Sequence, residues 1–338
     1  MMQAVYSFVT VVAVVAAAAV AGRMHGGDAL LLSAIAYAGF AVFLVGFCYR
    51  VVKWAAVPVP FRIPATCGQQ TSLPWIKSAG LDNPSTNAGV VGRMALEALL
   101  FRSLFRNSRA RLDEGRLICS EQRYLWLAAL AFHWSLLTIL IRHLRLLVEP
   151  VPAVVLGIER VDGFFQLGTP PLYISDVVFA CALLYLLLRR FRDPMVRYIS
   201  QFSDYFALLV IGGIAASGLL MRYSTRVDVI GAKEFALGVA SFHPVRAAAL
   251  GSMFTVHVAL ISLLAAYFPF SKLMHMGGVF LSPTRNLANN SRAKRHINPW
   301  NYPVKTHTYA EWEEEFRDKL KAAEIPLEAD HGGRTAAD

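Results

Sequence analysis

Long apolar blocks alternate with short polar ones along this chain, and six of the blocks are long enough to cross a bilayer. About 20 largely uncharged residues in a helix span the ~30 Å of hydrocarbon in a membrane. The six blocks run Gln3 to Ala21, Ala29 to Tyr49, Tyr124 to Val148, Leu172 to Leu188, Tyr205 to Met221 and Ala247 to Phe270. The first has no basic region ahead of it, and only the turn Gly22 to Asp28 separates it from a second full-length block, so it is expected to be an uncleaved helix. The pattern predicts an all-α fold, a polytopic membrane helix bundle of six transmembrane helices. It divides the chain into an extra N-terminal helix and turn at 1–28, a membrane domain at 29–275 carrying a polar loop at about 56–121, and a tail at 276–338.

The polar segments set the expected orientation. Of 33 Lys and Arg residues, 25 fall in Arg50 to Arg123, in Arg189 to Arg197, and from Lys272 onward. Basic residues favour the cytoplasmic side, which puts both termini and the long loop in the cytoplasm of a multi-pass protein of the cytoplasmic (inner) membrane. Within the loop, Val90 to Arg109 sets Val90, Met94, Phe101, Leu104 and Phe105 against Arg93, Arg102, Arg106 and Arg109. That pattern predicts one amphipathic helix, lying on the membrane surface or packed on neighbouring loops. In the tail, Asn298-Pro299-Trp300 and Tyr302-Pro303 predict irregular backbone, and Thr308 to Ala323 a charged helix.

Composition narrows the chemistry. With 56% hydrophobic and 17% charged residues, the chain belongs in a membrane rather than among disordered or disulfide-scaffold proteins. The net charge of +10 is explained by topology and anionic lipid, and no nucleic acid is expected as a partner. Cys48, Cys67, Cys119 and Cys181 lie far apart without CxxC, CxxCH or zinc spacing, which excludes an iron–sulfur or c-type heme site in this chain. No phosphate-binding glycine loop, dinucleotide motif or catalytic triad is present, so no catalytic residue is assigned.

Ionisable side chains inside spans usually face a bundle interior, a cofactor or a polar pathway. Four histidines lie that way: His133 and His143 on the third span, His257 and His275 on the sixth and its extension. On a continuous helix the 18 residues from His257 to His275 make about five turns, one face, and ~27 Å of rise. The 10 residues from His133 to His143 give only ~15 Å and a ~80° offset, a mismatch that helix tilt has to absorb. The two helices run antiparallel, so His143 comes level with His257 and His133 with His275. Two histidines from facing helices supply both axial positions of a b-type heme. His133, His275, His143 and His257 are thus the expected ligands of two heme b irons, with Arg142, Arg145 and Arg222 outside and Lys272 inside placed to meet anionic propionates. The small residues Gly212, Gly213, Ala215, Ala216 and Gly218 either make room for a porphyrin or serve close helix packing.

The two-plus-two histidine arrangement with separations of 10 and 18, and the run Phe268-Pro-Phe-Ser-Lys-Leu-Met-His275, resemble the gamma subunit of respiratory nitrate reductase, over about Ala29 to His275. Gly68-Gln-Gln-Thr-Ser-Leu-Pro-Trp-Ile-Lys77, Gly92-Arg-Met-Ala-Leu-Glu97, Phe101-Arg-Ser-Leu-Phe-Arg-Asn107 and Arg295-His-Ile-Asn-Pro-Trp-Asn301 are similar to the DsrM family, the cytochrome b subunits of membrane complexes linked to dissimilatory sulfite reductase. The resemblance implies a subunit exchanging electrons between the quinone pool, menaquinone or ubiquinone, and a cytoplasmic iron–sulfur subunit related to heterodisulfide reductase. It also implies a second membrane subunit and periplasmic cytochrome c and ferredoxin-like subunits, with the sulfur chemistry on the partners. In the nitrate reductase relatives a lysine beyond the second ligand helix assists near the outer heme. No lysine matches it here, and Arg142, Arg145 and Asp176 stand in by position as quinone-site candidates. Asp176 is either a quinol proton acceptor or an N-terminal dipole or salt-bridge partner. The competing expectation is a heme-free membrane anchor or transporter in which the histidines form proton relays.

Overall fold

The computed structural model of the chain describes residues 2–24, 29–57, 68–113, 115–165, 170–244, 250–292 and 306–328. Two long helices open it, α1 (Met2–Met24) and α2 (Ala29–Ala55). The polar loop holds α3 (Asn87–Leu100), α4 (Arg102–Phe105) and an antiparallel hairpin of β1 (Ser108–Asp113) with β2 (Arg116–Glu121). Next come α5 (Arg123–Leu147), α6 (Ala153–Asp162), α7 (Ile174–Arg192), α8 (Pro194–Ile199), α9 (Phe202–Tyr223), α10 (Val229–Ala240) and α11 (Ser252–Tyr267). Two 3-10 turns, Phe268–Phe270 and Lys272–Met274, lead into α12 (His275–Leu281) and α13 (Pro283–Asn286), and α14 (Tyr309–Ala322) lies near the C-terminus.

The expected membrane helix bundle is present. Among the described residues, α1, α2, α5, α9 and Ser252–Phe270 are long and apolar enough to cross a membrane. The fourth expected span is α7, but Asp176 at one end and Arg189, Arg190 and Arg192 at the other make it too charged to join that set by composition. It earns its place by packing along α5 and α9. There Phe132, Phe179, Ala182, Leu183 and Ile211 form a shared core. A second core, Leu32, Met221, Phe235 and Phe254, joins α2, α9, α10 and α11, while Val11 of α1 meets Phe206 and Val210 of α9. The α2 helix packs tightly on α11 and the turn after it: a Cβ on Gly39 would lie 2.7 Å from the Ser262 carbonyl oxygen, and one on Gly46 would lie 2.7 Å from Pro269. Without a hydrophobic drive between helices in lipid, such backbone contact supplies the attraction.

Four expectations are corrected. The sixth span does not run on as one helix to His275. It ends at Tyr267, because Pro269 brings no N–H to the ladder and Ser271 is extended at φ −117°, ψ 176°. Ser271 joins the two turns, its hydroxyl donating to the Phe268 carbonyl at 2.9 Å and accepting from Leu273 N–H at 3.1 Å. Secondly, the helix expected over Val90 to Arg109 stops at Leu100. Phe101 takes the left-handed conformation (φ 50°) and caps it, while the Glu97 carboxylate accepts from the Ser103 N–H and hydroxyl at 3.0 and 2.7 Å. Thirdly, the remainder of that stretch is the short helix α4 followed by the first residues of the β1–β2 hairpin. Finally, α6 and α10 fill the connections after α5 and α9, for which no element was expected. The start expected for the sixth span at Ala247, and the irregular segments at Asn298 to Pro303, lie outside the described residues.

Contacts divide the chain into Met1–Val57 with Arg62–Lys294, and Pro58–Phe61 with Arg295–Asp338. The first unit therefore takes in residues 276–292, which were expected in the tail. They hydrogen-bond to the polar loop: Asn289 N–H donates to Pro84 O at 2.7 Å, the Asn289 amide to Asn83 Oδ1, and Gln70 Nε2 to Ser291 Oγ at 2.8 Å. Arg93 binds the carbonyls of Arg285 and Leu287, and Arg285 pairs with Glu97. Gly68 opens this platform at φ +79°, where a side chain would also strike Ala79. Asp82 ties Arg102 and Arg106 to the same layer, and chiefly the hydrogen bond from Arg106 holds its carboxyl below the ordinary carboxylate range. In the second unit, Thr308 and Glu311 form a reciprocal capping box at the start of α14, much as the sequence predicts, and Tyr309, Trp312 and Phe316 line up along one face.

Candidate functional site

The site begins with four imidazoles and the fate of their Nδ1 atoms. In α5, His133 Nδ1 lies 2.8 Å from the Ala129 carbonyl oxygen and His143 Nδ1 lies 2.7 Å from that of Ile139. His275 Nδ1 lies 2.8 Å from the Lys272 carbonyl, three residues back across the last 3-10 turn. A carbonyl oxygen can only accept, so each of these nitrogens is the N–H donor and each Nε2 keeps its lone pair. At His257 the partner is Ser217 Oγ of α9, 2.9 Å away. The Ser217 hydroxyl donates to its own helix at Gly213 O, 2.8 Å, which leaves an oxygen lone pair for His257 Nδ1–H. His133, His143 and His275 are thus Nδ1–H tautomers with an unprotonated Nε2, the atom that serves as an axial ligand, and the Ser217 contact lets His257 take the same form.

The structure brings the histidines together in two pairs. The His133 and His275 ring centres are 6.1 Å apart with planes at 82°. An imidazole nitrogen lies about 1.2 Å from its ring centre and binds a first-row metal ion at about 2 Å, so two rings on opposite sides of one ion have centres about 6 Å apart. The residues present therefore fit an iron between them. At the other level His143 lies near enough to His257 to act on it electrostatically, as Arg142, Asp176 and Arg222 act on His143. The chain from His257 to His275 is broken at Phe268–Met274, so the ~27 Å rise of one continuous helix does not describe it. Among the described residues, no cluster of three His, Cys, Asp or Glu side chains is arranged for a bare metal ion.

Neighbouring loops support the His133 level. The Phe101 ring packs edge-on to His133 with centres 5.0 Å apart, and the Trp126 and Trp134 indoles donate to the Leu100 and Leu99 carbonyls at 2.7 and 3.0 Å. The last turn of α3 is thereby anchored on α5. Lys272, considered a propionate partner, instead pairs with Asp204 at 2.9 Å.

At the His143 level the three quinone-site candidates separate. Arg142 is 9% exposed and lies between Asp162 (6%) and Asp176 (10%), with ion-pair distances of 2.9 and 2.5 Å. Ser175 donates to Asp162 Oδ2 at 2.7 Å, and Tyr223 donates to Asp176 Oδ2 at 3.1 Å. The Arg142 and Arg222 guanidinium groups stack on the Tyr173 ring, 3.8 and 4.1 Å from its centre. Arg145 stands apart from Asp176, paired with Glu159, which also accepts from the Tyr173 hydroxyl at 2.6 Å. Asp176 is therefore a salt-bridge member first. Glu159, Asp162, Tyr173 and Tyr223 were missed in the sequence; Glu159 and Asp162, three apart at the polar end of the Ala153–Asp162 helix, were the available signal. Of the small residues in α9, Gly213 lies against Leu260 and Gly212 near Leu183, which is close helix packing, and only Gly218 borders His257.

The family model described as nitrate reductase gamma subunit matches residues 104–293. The chain is 44% identical over 273 residues to the Hdr-like menaquinol oxidoreductase cytochrome b-like subunit of Archaeoglobus fulgidus, covering 79% of this chain and 82% of the relative. It is 41% identical over 274 residues to the protein of the same description from Archaeoglobus profundus, covering 79% and 81%.

The buried network carries a prediction. Arg142→Met strands two carboxylates inside the fold and is expected to cost about 3–5 kcal/mol, against about 0–1 kcal/mol for Arg145→Met at its more exposed pair. Thermal unfolding of the two purified variants in detergent checks this; equal, small shifts would show that Arg142 is not the clasp of α5, α6 and α7.

Proposed function

We propose that this chain, which belongs to the nitrate reductase gamma subunit family, is a diheme b-type membrane subunit that exchanges electrons between the quinone pool and a cytoplasmic iron–sulfur subunit related to heterodisulfide reductase. The observation that carries the reading is the set of four histidines with Nδ1–H engaged and Nε2 free, together with the 6.1 Å spacing of His133 and His275. His133 and His275 hold one group, His143 and His257 the other. Heme b, when bound, supplies a one-electron redox centre at each level. The relatives' description as Hdr-like menaquinol oxidoreductase subunits supports a menaquinol substrate and an Hdr-like partner. The DsrM-like motifs support a place in dissimilatory sulfur metabolism, with a second membrane subunit and periplasmic cytochrome c and ferredoxin-like subunits in the complex and the sulfur chemistry outside this chain.

The basic residues support an orientation with both termini in the cytoplasm of a cell whose inner membrane the chain crosses. The His133–His275 level and the loop platform then face the cytoplasm, where the iron–sulfur partner docks, and the His143–His257 level faces out. Quinone exchange belongs at the outer level, where Arg142, Arg145 and Asp176, now joined by Glu159 and Tyr173, supply groups able to bind a quinone oxygen and release its proton.

Four outcomes are expected. A reduced-minus-oxidised spectrum of protein from heme-replete cells shows a b-type signal near two hemes per chain. Replacing His133 or His275 removes one heme and replacing His143 or His257 removes the other, with no further loss in a double variant of one pair. A well-folded preparation without the signal would leave the heme-free reading. Asp176→Asn, which keeps the side-chain shape, slows heme reduction by a quinol analogue with heme content intact; unchanged kinetics would remove Asp176 from the quinone site. A chain ending at Lys294, the limit of the first compact unit, retains both hemes but loses co-purification of the cytoplasmic partner. Undiminished yield of that partner would leave the loop platform alone as its dock.

A further inference from the structure

We infer that Ser217 is a positioning residue for His257, fixing the ring through a side-chain hydrogen bond and raising electron density at its free nitrogen. The inference rests on reading His257 as a heme ligand. It starts from an asymmetry among the four histidines. His133, His143 and His275 donate to main-chain carbonyls three or four residues back, bonds built into the local backbone. His257 meets a side chain of another helix, 40 positions earlier in the chain, in addition to the Ile214 carbonyl, and the other three histidines have no such side-chain bond.

Three features make the contact a device rather than an incidental touch. Ser217 is 3% exposed, so no solvent competes for the bond. Its own proton is held by the Gly213 and Ile214 carbonyls, at 2.8 and 3.0 Å, so its oxygen faces His257 as an acceptor and sets the tautomer. Beside it, a Cβ on Gly218 would lie 3.3 Å from His257 Cε1, so the ring lies close against α9 just where the hydroxyl holds it. Accepting a hydrogen bond from Nδ1–H makes an imidazole a stronger electron donor through Nε2, and a stronger donor favours the oxidised iron. Ser217 thereby lowers the reduction potential of the outer heme relative to the same site without it. The Ile214 carbonyl also interacts with the ring, so loss of the hydroxyl weakens the hold on His257 without freeing the imidazole.

The test compares Ser217→Ala and Ser217→Thr in the purified full chain by optical redox titration and low-temperature paramagnetic resonance. The heme lost in His143→Ala identifies the outer signal. In Ser217→Ala the outer midpoint potential is expected to rise and its low-spin resonance to shift, while the inner heme stays unmoved and heme content stays at two. Ser217→Thr, which keeps a hydroxyl on the helix, returns both readouts towards the original. Loss of the outer heme from Ser217→Ala, with retention in Ser217→Thr, supports the same role more strongly. Unchanged potentials and spectra in Ser217→Ala, equal shifts at both hemes, or failure of the threonine to rescue would each overturn the inference while leaving the heme reading intact. Absence of any b-type signal in the original chain would overturn that reading, and the inference with it.

Discussion

A polar hydrogen inside hydrocarbon has no water to bind, and this constraint governs how the bundle treats its polar side chains. The serines and threonines of the spans meet it locally. Ser33 donates to Ala29 O at 2.7 Å, Ser135 to Ala131 O at 2.6 Å, Thr138 to Trp134 O at 2.9 Å and Ser262 to Val258 O at 2.8 Å. His133 and His143 use the same four-residue step. Because a histidine has two nitrogens, satisfying one in this way leaves the other as a lone pair pointing off the helix. The rule that keeps a hydroxyl harmless in a membrane thus leaves an imidazole with a nitrogen able to act as a ligand.

Full charges follow the other half of the same rule and gather at the ends of the helices. At the His143 level, Arg142 bridges Asp162 of α6 and Asp176 of α7, so three helices share one buried guanidinium. At the opposite level, Asp204 at the start of α9 accepts from Lys272 and sits 3.8 Å from Arg190. Buried pairs like these are poor evidence of net stability, since desolvation offsets most of the attraction, but they punish the wrong arrangement heavily. Their effect is to fix which helix ends meet.

Much of this was legible in the sequence because period and composition carry it. The six apolar blocks, the four histidines and the tail helix with Thr308 and Glu311 all follow from local pattern. What was hidden depends on partners distant in sequence. The platform of residues 68–106 with 282–291 rests on Gln70, Asn83, Arg93 and Asn289, polar residues that look like any loop until Pro84 and Ser291 are brought beside them. Glu159 and Asp162 sat in a short connector, and only folding shows that they answer Arg145 and Arg142. The end of α3 was missed because the apolar period continues through Phe101, Leu104 and Phe105, whereas the left-handed turn at Phe101 is imposed by Glu97 and the two tryptophans of α5. Hydrophobic period says which face is buried and does not say where a helix must stop.

The break before His275 shows how one rigid element sets the geometry of another. The α5 helix is unbroken from Arg123 to Leu147, so its two histidines stand at a fixed separation of about 15 Å. The opposite side of the bundle has 18 residues between its histidines, and as straight helix those would overshoot by about 12 Å. Tilt shortens a helix only by the cosine of its angle, and the ~20° typical of membrane helices recovers less than 2 Å of 27. The chain instead ends α11 at Tyr267, turns at Ser271 and starts again at His275. Pro269 forces the stop, Gly46 lets α2 seat it, and the Lys272–Asp204 pair holds the far side of the turn. The same lysine supplies the carbonyl that receives His275 Nδ1–H, so the clasp that closes the break also orients the ring beyond it.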